Sequence, residues 1–226
     1  MKKLALGMAM IIAAGASCTQ KPKGGEATAA DSTSTIRINC LVKVTPETRD
    51  SVIALSKELV DSSLNDAGNI DYALYESATD SNSLIIFETW KDQASLDKHS
   101  ASAHFTRLVP AIQKLSEMTI QIFNNGAATN DTLRLNCMVK VPTEVRDDVI
   151  NLYKELVTAT RTDDEGMIDY DLYLNSSDPT DMMVFETWKD QASLDKHSAS
   201  PHFKRLVPQI SEKAKSNVEK FNMTKE

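Results

Sequence analysis

The chain has 226 residues, of which 41% are hydrophobic and 25% charged, and it carries a formal net charge of −7. These proportions are ordinary for a globular protein. The acidic balance argues against nucleic acid as a partner, because phosphate binding requires a basic surface. No internal apolar run is long enough to span a bilayer as a helix.

The first residues have the composition of an export signal. Two lysines precede a short apolar stretch, and small residues then lead to Cys18. This pattern resembles a bacterial lipoprotein lipobox, with Gly15 where leucine is more usual. We therefore expect 1–17 to be a signal peptide, Cys18 to carry the lipid, and 18–34 to be a flexible tether. The protein would be exported and lipid-anchored to the bacterial cell envelope, at the outer membrane or the periplasmic face. A plain signal peptide cut near Ala16, or an N-terminus without lipid, are the alternatives.

One sequence of sixteen residues, FETWKDQASLDKHSAS, occurs twice, at 87–102 and at 185–200. Similarity extends outward on both sides, at an offset of 97 residues before position 64 and of 98 residues after position 68. Repetition on this scale predicts two copies of a small domain. We place the copies at 35–124 and 132–222, joined by a linker at 125–131.

The first copy begins with a strand at 36–44, in which apolar and polar residues alternate with a period of two. Thr45, Pro46 and Glu47 then predict the start of a helix. The remaining predicted elements are a turn at 66–69, a strand at 70–76, a turn at 80–83, a strand at 84–90, a helical region at 91–116 interrupted near 100–103 and kinked or restarted at Pro110, and a strand at 118–123. The order β-α-β-β-α-β predicts a ferredoxin-like fold.

Helices on one face of such a sheet leave the other face uncovered. The first strand has an apolar face made by Ile36, Ile38 and Cys40, and we expect that face to meet the other copy. The predicted fold class is α+β, with two ferredoxin-like βαββαβ domains packed sheet to sheet as an intramolecular pseudo-dimer. Asn39 would then point toward the helices. We expect Cys40 and Cys137 to be buried free thiols, rather than a disulfide across the pseudo-two-fold axis.

Three parts of the repeated segment suggest a family. The run Phe-Glu-Thr-Trp-Lys-Asp, followed by Leu-Asp-Lys-His and by His-Phe, resembles the antibiotic biosynthesis monooxygenase (ABM) domain in both copies. The resemblance implies a dimeric α+β barrel with a cavity between each sheet and its helices. Members of the family include cofactor-independent monooxygenases that act on quinols and polycyclic phenols, while related proteins degrade haem or isomerise small sugar-derived signals.

The resemblance implies a monooxygenase that needs no cofactor and acts on a quinol-like or polyphenolic aromatic substrate at a membrane surface. Such a substrate must itself give an electron to O₂. The site therefore needs a base, hydrogen-bond donors for the developing oxyanion, and an apolar cavity for a flat ring. A small hydrophobic or aromatic molecule is the expected partner, and a higher oligomer is compatible with the fold. Two alternatives stay open, a non-catalytic binding module for a hydrophobic small molecule and an envelope scaffold.

Each copy offers polar and aromatic residues for these roles. The candidate catalytic residues are Asn39, Trp90 and His99, with their counterparts Asn136, Trp188 and His197. The candidates for substrate contact are Tyr72, Tyr75 and His104, with their counterparts Tyr170, Tyr173 and His202. Structural roles compete with these: the tryptophan could plug the end of the sheet, the asparagine could bond backbone, and either histidine could cap a helix.

Two other chemistries are disfavoured by the same residues. We expect no metal site, because His99 and His104 are five residues apart and no other ligand is near them in the sequence. The resemblance also argues against haem degradation, since that reaction uses a helical tryptophan and a helical histidine. Those positions hold His99 and Val109 in the first copy, and His197 and Val207 in the second.

Overall fold

The structure is a computed structural model that describes residues 35–123 and 131–223. The predicted signal peptide, Cys18, the tether and most of the linker lie outside the described residues. None of the helices in the described ranges is long and apolar enough to cross a membrane.

The two copies fold alike and in the predicted order. The first repeat consists of β1 (Ile36–Lys43), α1 (Arg49–Ser63), β2 (Asn69–Ser77), β3 (Ser83–Trp90), α2 (Gln93–Ser100), α3 (Ala103–Leu115) and β4 (Glu117–Phe123). The second repeat consists of β5 (Leu133–Lys140), a 3-10 turn (Thr143–Val145), α4 (Arg146–Asp163), β6 (Met167–Asn175), β7 (Asp181–Trp188), α5 (Gln191–Ala199), α6 (Pro201–Lys213) and β8 (Lys215–Asn222).

The repeated segment contains the N-cap residues of two helices. Asp92 has extended backbone before α2, and its side chain accepts a hydrogen bond from the Ser95 N–H at 2.8 Å. Ser102 caps α3 in the same way, accepting from the Phe105 N–H at 3.2 Å. Such caps satisfy N–H groups that a helix cannot satisfy internally. The second repeat uses Asp190 and Ser200 identically, which explains why the same residues break the chain into the same two helices.

The eight strands form one continuous antiparallel sheet in the order β4-β1-β3-β2-β6-β7-β5-β8. Each repeat contributes four strands, and the repeats join where β2 pairs with β6 through Tyr75–Asn175, Glu76–Leu174 and Ser77–Tyr173. The sheet curls so that the helix-free faces of its two halves meet around a shared core, which contains Tyr75, Ile85, Phe87, Tyr173, Met183 and Phe185. The predicted fold class, two ferredoxin-like domains paired within one chain, is confirmed.

The prediction of which strand face meets the other repeat was wrong. Ile36, Ile38, Cys40 and Val42 pack against α1 and α3, in a core that also contains Leu59 and Ile112. The opposite face of β1 meets the second repeat, and there Asn39 and Asn136 exchange two hydrogen bonds of 3.0 and 3.1 Å. Alternation shows which residues share a face, but both faces of this sheet are covered, and the amphipathic helices take the more apolar one.

This placement also decides the surroundings of the two cysteines. Cys40 and Cys137 are free and buried, and each lies in the helix-covered core of its own repeat. Burial raises the pKa of each thiol to about 12, so both stay protonated at neutral pH. The expectation of buried free thiols is confirmed, although they do not lie between the repeats.

Candidate functional site

A turn aspartate gathers two histidines in each repeat. Asp66 lies between α1 and β2, and one of its oxygens, Oδ2, is 2.7 Å from Nδ1 of His99 and 3.0 Å from Nε2 of His104. The second repeat reproduces the arrangement, with Asp164 at 2.6 Å from His197 and 2.9 Å from His202. A carboxylate can only accept hydrogen bonds, so each ring nitrogen that faces it carries the proton.

This arrangement leaves a free base on the first histidine of each cluster. His99 and His197 are each 1% exposed, and with Nδ1 protonated their Nε2 atoms carry a lone pair. Neither Nε2 atom makes a hydrogen bond to any residue that the structure describes. Burial lowers the pKa of both imidazoles, and this effect outweighs the opposing aspartate. Both rings are therefore neutral at pH 7, with a buried acceptor available for a ligand.

A tryptophan ring packs against the imidazole of His99 and of His197. The centroids of Trp90 and His99 are 4.5 Å apart, and those of Trp188 and His197 are 4.6 Å apart. Each indole also donates a hydrogen bond to a carboxylate of its own strand, Trp90 to Glu88 at 2.8 Å and Trp188 to Glu186 at 2.9 Å. The tryptophans therefore position two titratable groups at once.

Glu88 and Glu186 are functional candidates that the sequence reasoning missed. Desolvation raises the pKa of each carboxyl to about 7, although the tryptophan hydrogen bond opposes the shift. A carboxyl with this pKa can give or take a proton at neutral pH. A signal was present in the sequence: alternation places Glu88 on the same strand face as Ile86 and Trp90, where a charge is unexpected.

In the second repeat these groups border a cavity of about 310 Å³ between the sheet and the helices. Its walls come from β5, β6, β7, β8 and the three helices, and they are mainly apolar. The polar and aromatic groups on its surface include Glu186, His197, Tyr170 and Tyr153. This volume lies at the lower end of ligand pockets, which span roughly 300–1,000 Å³. It suits a small aromatic molecule rather than a large polycycle.

The structure divides the sequence-predicted residues into two groups. Tyr72, Trp90, His99 and His104 meet on the helix side of the first repeat, and Tyr170, Trp188, His197 and His202 do so in the second. Tyr75 and Tyr173 instead lie in the core between the repeats, where Tyr75 donates to Asp181 and the hydroxyl of Tyr173 lies 2.9 Å from that of Ser83. The prediction that Asn39 and Asn136 face the cavity was wrong, because these side chains bond each other between the repeats.

The two clusters also bear on the expected absence of a metal. Asp66, His99 and His104 place three ligand atoms within 4.8 Å of one another, as do Asp164, His197 and His202. The sequence argument from spacing was wrong on this point, since the aspartate arrives from a turn 33 residues before the first histidine. The direct hydrogen bonds satisfy both imidazole N–H groups of each cluster without an ion. That the protein uses no metal stays a prediction.

Comparison with known proteins supplies the family. The sequence profile of the family "Antibiotic biosynthesis monooxygenase" matches residues 35–111 and 132–209. A Bacillus subtilis protein named "Putative monooxygenase YcnE" is 30% identical over 87 residues, which cover 38% of this chain and 92% of that protein. An uncharacterized Synechocystis protein is 37% identical over 68 residues, covering 30% of this chain and 46% of that protein, so this chain spans about half of its length.

Some of the similar solved structures match less than half of this chain. A conserved Bacteroides thetaiotaomicron protein of unknown function is 38% identical, with 41% of this chain and 98% of that chain covered and a TM-score of 0.40. The two profile matches together span more than half of the sequence. The chain therefore belongs to the antibiotic biosynthesis monooxygenase family, with two copies of the family's domain in tandem.

Proposed function

We propose that the protein is a cofactor-independent monooxygenase that acts on a quinol-like or polyphenolic substrate of one or two rings. The family, the aromatic-lined cavity and its volume support this substrate class. We also propose, from the sequence of the first 34 residues alone, that a lipid on Cys18 holds the enzyme at the surface of the cell envelope.

The observation that carries the proposal is the His197–Asp164 pair beside the cavity. Asp164 fixes the imidazole with Nδ1 protonated, so the buried Nε2 is a neutral base with no competing partner among the described residues. His197 itself lines the cavity. A phenolic hydroxyl placed there would give its proton to Nε2, and Asp164 would stabilise the resulting imidazolium.

Deprotonation prepares the ring to react with oxygen directly. The phenolate gives one electron to O₂, and the ring radical and superoxide combine to form a C–O bond. Loss of water from the hydroperoxide then leaves a carbonyl, so a quinol and O₂ yield a hydroxyquinone and one molecule of water. Glu186, with a pKa of about 7, is suited to protonate the departing oxygen.

Oxygen uptake with a panel of naphthols and reduced naphthoquinones tests the function, in buffer that contains EDTA and no flavin. We expect His99→Ala combined with His197→Ala to lower kcat by about 100-fold or more, because that is the usual contribution of a general base. Removing both histidines makes the result independent of which repeat works. Arg205→Ala is a matched control, since it removes only an exposed ion pair with Glu155 on the outer side of α6.

Two outcomes would count against the proposal. If no compound of the panel causes enzyme-dependent oxygen uptake, the chain is not a monooxygenase of this class. A compound that copurifies unchanged in that case would favour the alternative, a binding module for a hydrophobic small molecule. A double-histidine variant with full activity would show that the base lies elsewhere.

A further inference from the structure

The residues around the cavity differ between the repeats, although the core of the motif is identical. We propose that the repeats have divided their roles, so that the second repeat binds an aromatic ligand with an acidic hydroxyl and the first repeat serves as its structural partner. This inference rests on the function proposed for the cavity of the second repeat.

The first difference lies on the outermost strand of each repeat. Val42 pairs with Met118 in the first repeat, and its counterpart Val139 pairs with Ser216 in the second. Met118 is half-buried and packs against the helix-covered core of its repeat. Ser216 is exposed and lines the cavity. A long flexible side chain therefore packs inward in the first repeat where a short hydroxyl borders open space in the second.

The second difference lies on the long helix opposite that strand. Tyr153 of α4 lines the cavity, and its counterpart on α1 is Ser56, which is completely buried. The two exchanges compensate in volume: the first repeat has a small helix residue and a large strand residue, and the second repeat has the reverse. In the second repeat the small side chain therefore lies at the outer strand and the large one on the inner wall. This opens the cavity toward solvent and gives it an aromatic ring as a wall.

The third difference lies where β8 meets α5, beside the wall of the cavity. Lys220 of β8 donates to Gln191 at 3.1 Å, and Gln191 donates to Asp195 at 2.7 Å; both of these acceptor residues line the cavity. In the first repeat Gln93 bonds Asp97 in the same way, but the position of Lys220 is occupied by Ile122, which is 50% exposed. This ammonium lies just behind the cavity wall, through Gln191, and offsets the charge of the lining Asp195, which favours a ligand that carries or develops negative charge, as an acidic phenol does.

Binding of 1-naphthol to the purified chain tests the division directly. We expect isothermal titration calorimetry to find one equivalent bound per chain. Ser216→Met should weaken binding by about tenfold or more, because its side chain enters the mouth of the cavity. Met118→Ser, the matched exchange in the first repeat, should leave that binding event unchanged. Circular dichroism and thermal unfolding of both variants check that they are folded.

A second readout needs no cavity variant. Each tryptophan indole N–H bonds a glutamate, so the two indole signals in a ¹⁵N NMR spectrum report on the two repeats separately. Naphthol should shift the Trp188 signal and leave the Trp90 signal in place, with Trp90→Phe used for assignment. Two equivalents bound per chain, equal shifts of both signals, or no binding at all would overturn the division. One equivalent bound without any oxygen uptake would uphold the division and contradict the monooxygenase proposal.

Discussion

At the residue scale, the most unusual groups are the two buried carboxyls, Glu88 and Glu186. Each is less than a tenth exposed and accepts one hydrogen bond from the tryptophan two residues later. Neither this bond nor, for Glu88, a second one with Tyr72 replaces the water that a carboxylate loses on burial, so the protonated form is favoured and the pKa rises to about 7. A stable core would not need these groups, which is consistent with a role in proton transfer.

The raised pKa has a consequence for stability that Glu186→Gln tests. The folded protein holds the carboxyl proton more tightly than the unfolded chain, so the wild type loses stability as the pH rises from about 4.5 through 7. Glutamine does not titrate. The difference in unfolding free energy between the variant and the wild type should therefore be a few kcal/mol more favourable to the variant at pH 8 than at pH 5, at about 1.36 kcal/mol per pKa unit.

Urea unfolding at pH 5, 6, 7 and 8 measures this difference. Comparing variant with wild type matters because the buried histidines, whose pKa values are lowered, make stability rise with pH in the same interval. Glu155 lies on an exposed surface, so the unfolding free energy of Glu155→Gln should vary with pH in parallel with that of the wild type. Parallel curves for Glu186→Gln would show that the carboxyl is already ionised in the folded state.

At the element scale, the order and type of the strands and helices follow from the sequence, and their facing does not. Alternation in β1 and the caps Asp92 and Ser102 are local signals, so they predict the elements whatever the tertiary structure is. α1 begins at Arg49 rather than at Pro46, because Thr45 and Thr48 bond each other in a turn before it. The candidate base His99 was found from its motif, but its aspartate, Asp66, which is 33 residues away, could be identified only from the tertiary structure.

In the second repeat, the turn that carries the corresponding aspartate, Asp164, depends on one glycine. Gly166 has φ of +86°, and a Cβ added there would lie 2.1 Å from Oγ and 2.7 Å from Cβ of Ser193 at the start of α5. Gly166→Ala should therefore cost about 2 kcal/mol or more, by adding a steric clash to an unfavourable backbone conformation. Because Asp164 lies two residues away, the same change should displace it from His197 and lower kcat.

Urea unfolding and oxygen uptake together check the glycine prediction. Ser193→Ala alone is the control, since it removes the nearest oxygen without changing the turn. In the double variant only part of the stability should return, because the Cβ of residue 193 and the backbone strain remain. A fully stable Gly166→Ala protein would show that this turn adopts another conformation in solution.

At the scale of the whole molecule, the repeats are joined by a partly polar interior. Besides the shared apolar core, Phe123 stacks on Phe221 with centroids 4.5 Å apart, and Arg134 lies buried over the ring of Phe185 at 3.5 Å. Burial lowers the pKa of that guanidinium to about 10, which still leaves it charged at pH 7. A buried polar pair that crosses between the halves, such as Asn39 with Asn136, fits only one register, because a slip would leave both amides unpaired.

The Asn39–Asn136 pair is the most direct test of this packing within one chain. Each amide donates to the other at 3.0–3.1 Å, and both residues are completely buried. Either single change to alanine should cost about 1–3 kcal/mol, because it leaves the remaining amide buried without its partner. The double variant has no orphaned amide, so its cost should fall short of the sum of the singles by about 1 kcal/mol or more.

Urea unfolding of the four proteins gives the coupling energy, provided that the slope of unfolding free energy with denaturant is unchanged. Asn65→Ala is the control, because its amide bonds backbone at the exposed end of α1. Its cost in unfolding free energy should add independently to that of either asparagine change. Strictly additive costs for Asn39 and Asn136 would mean that the two amides do not meet. The pairing of repeats would then have to form between chains, and the oligomeric state of the protein would depend on its concentration.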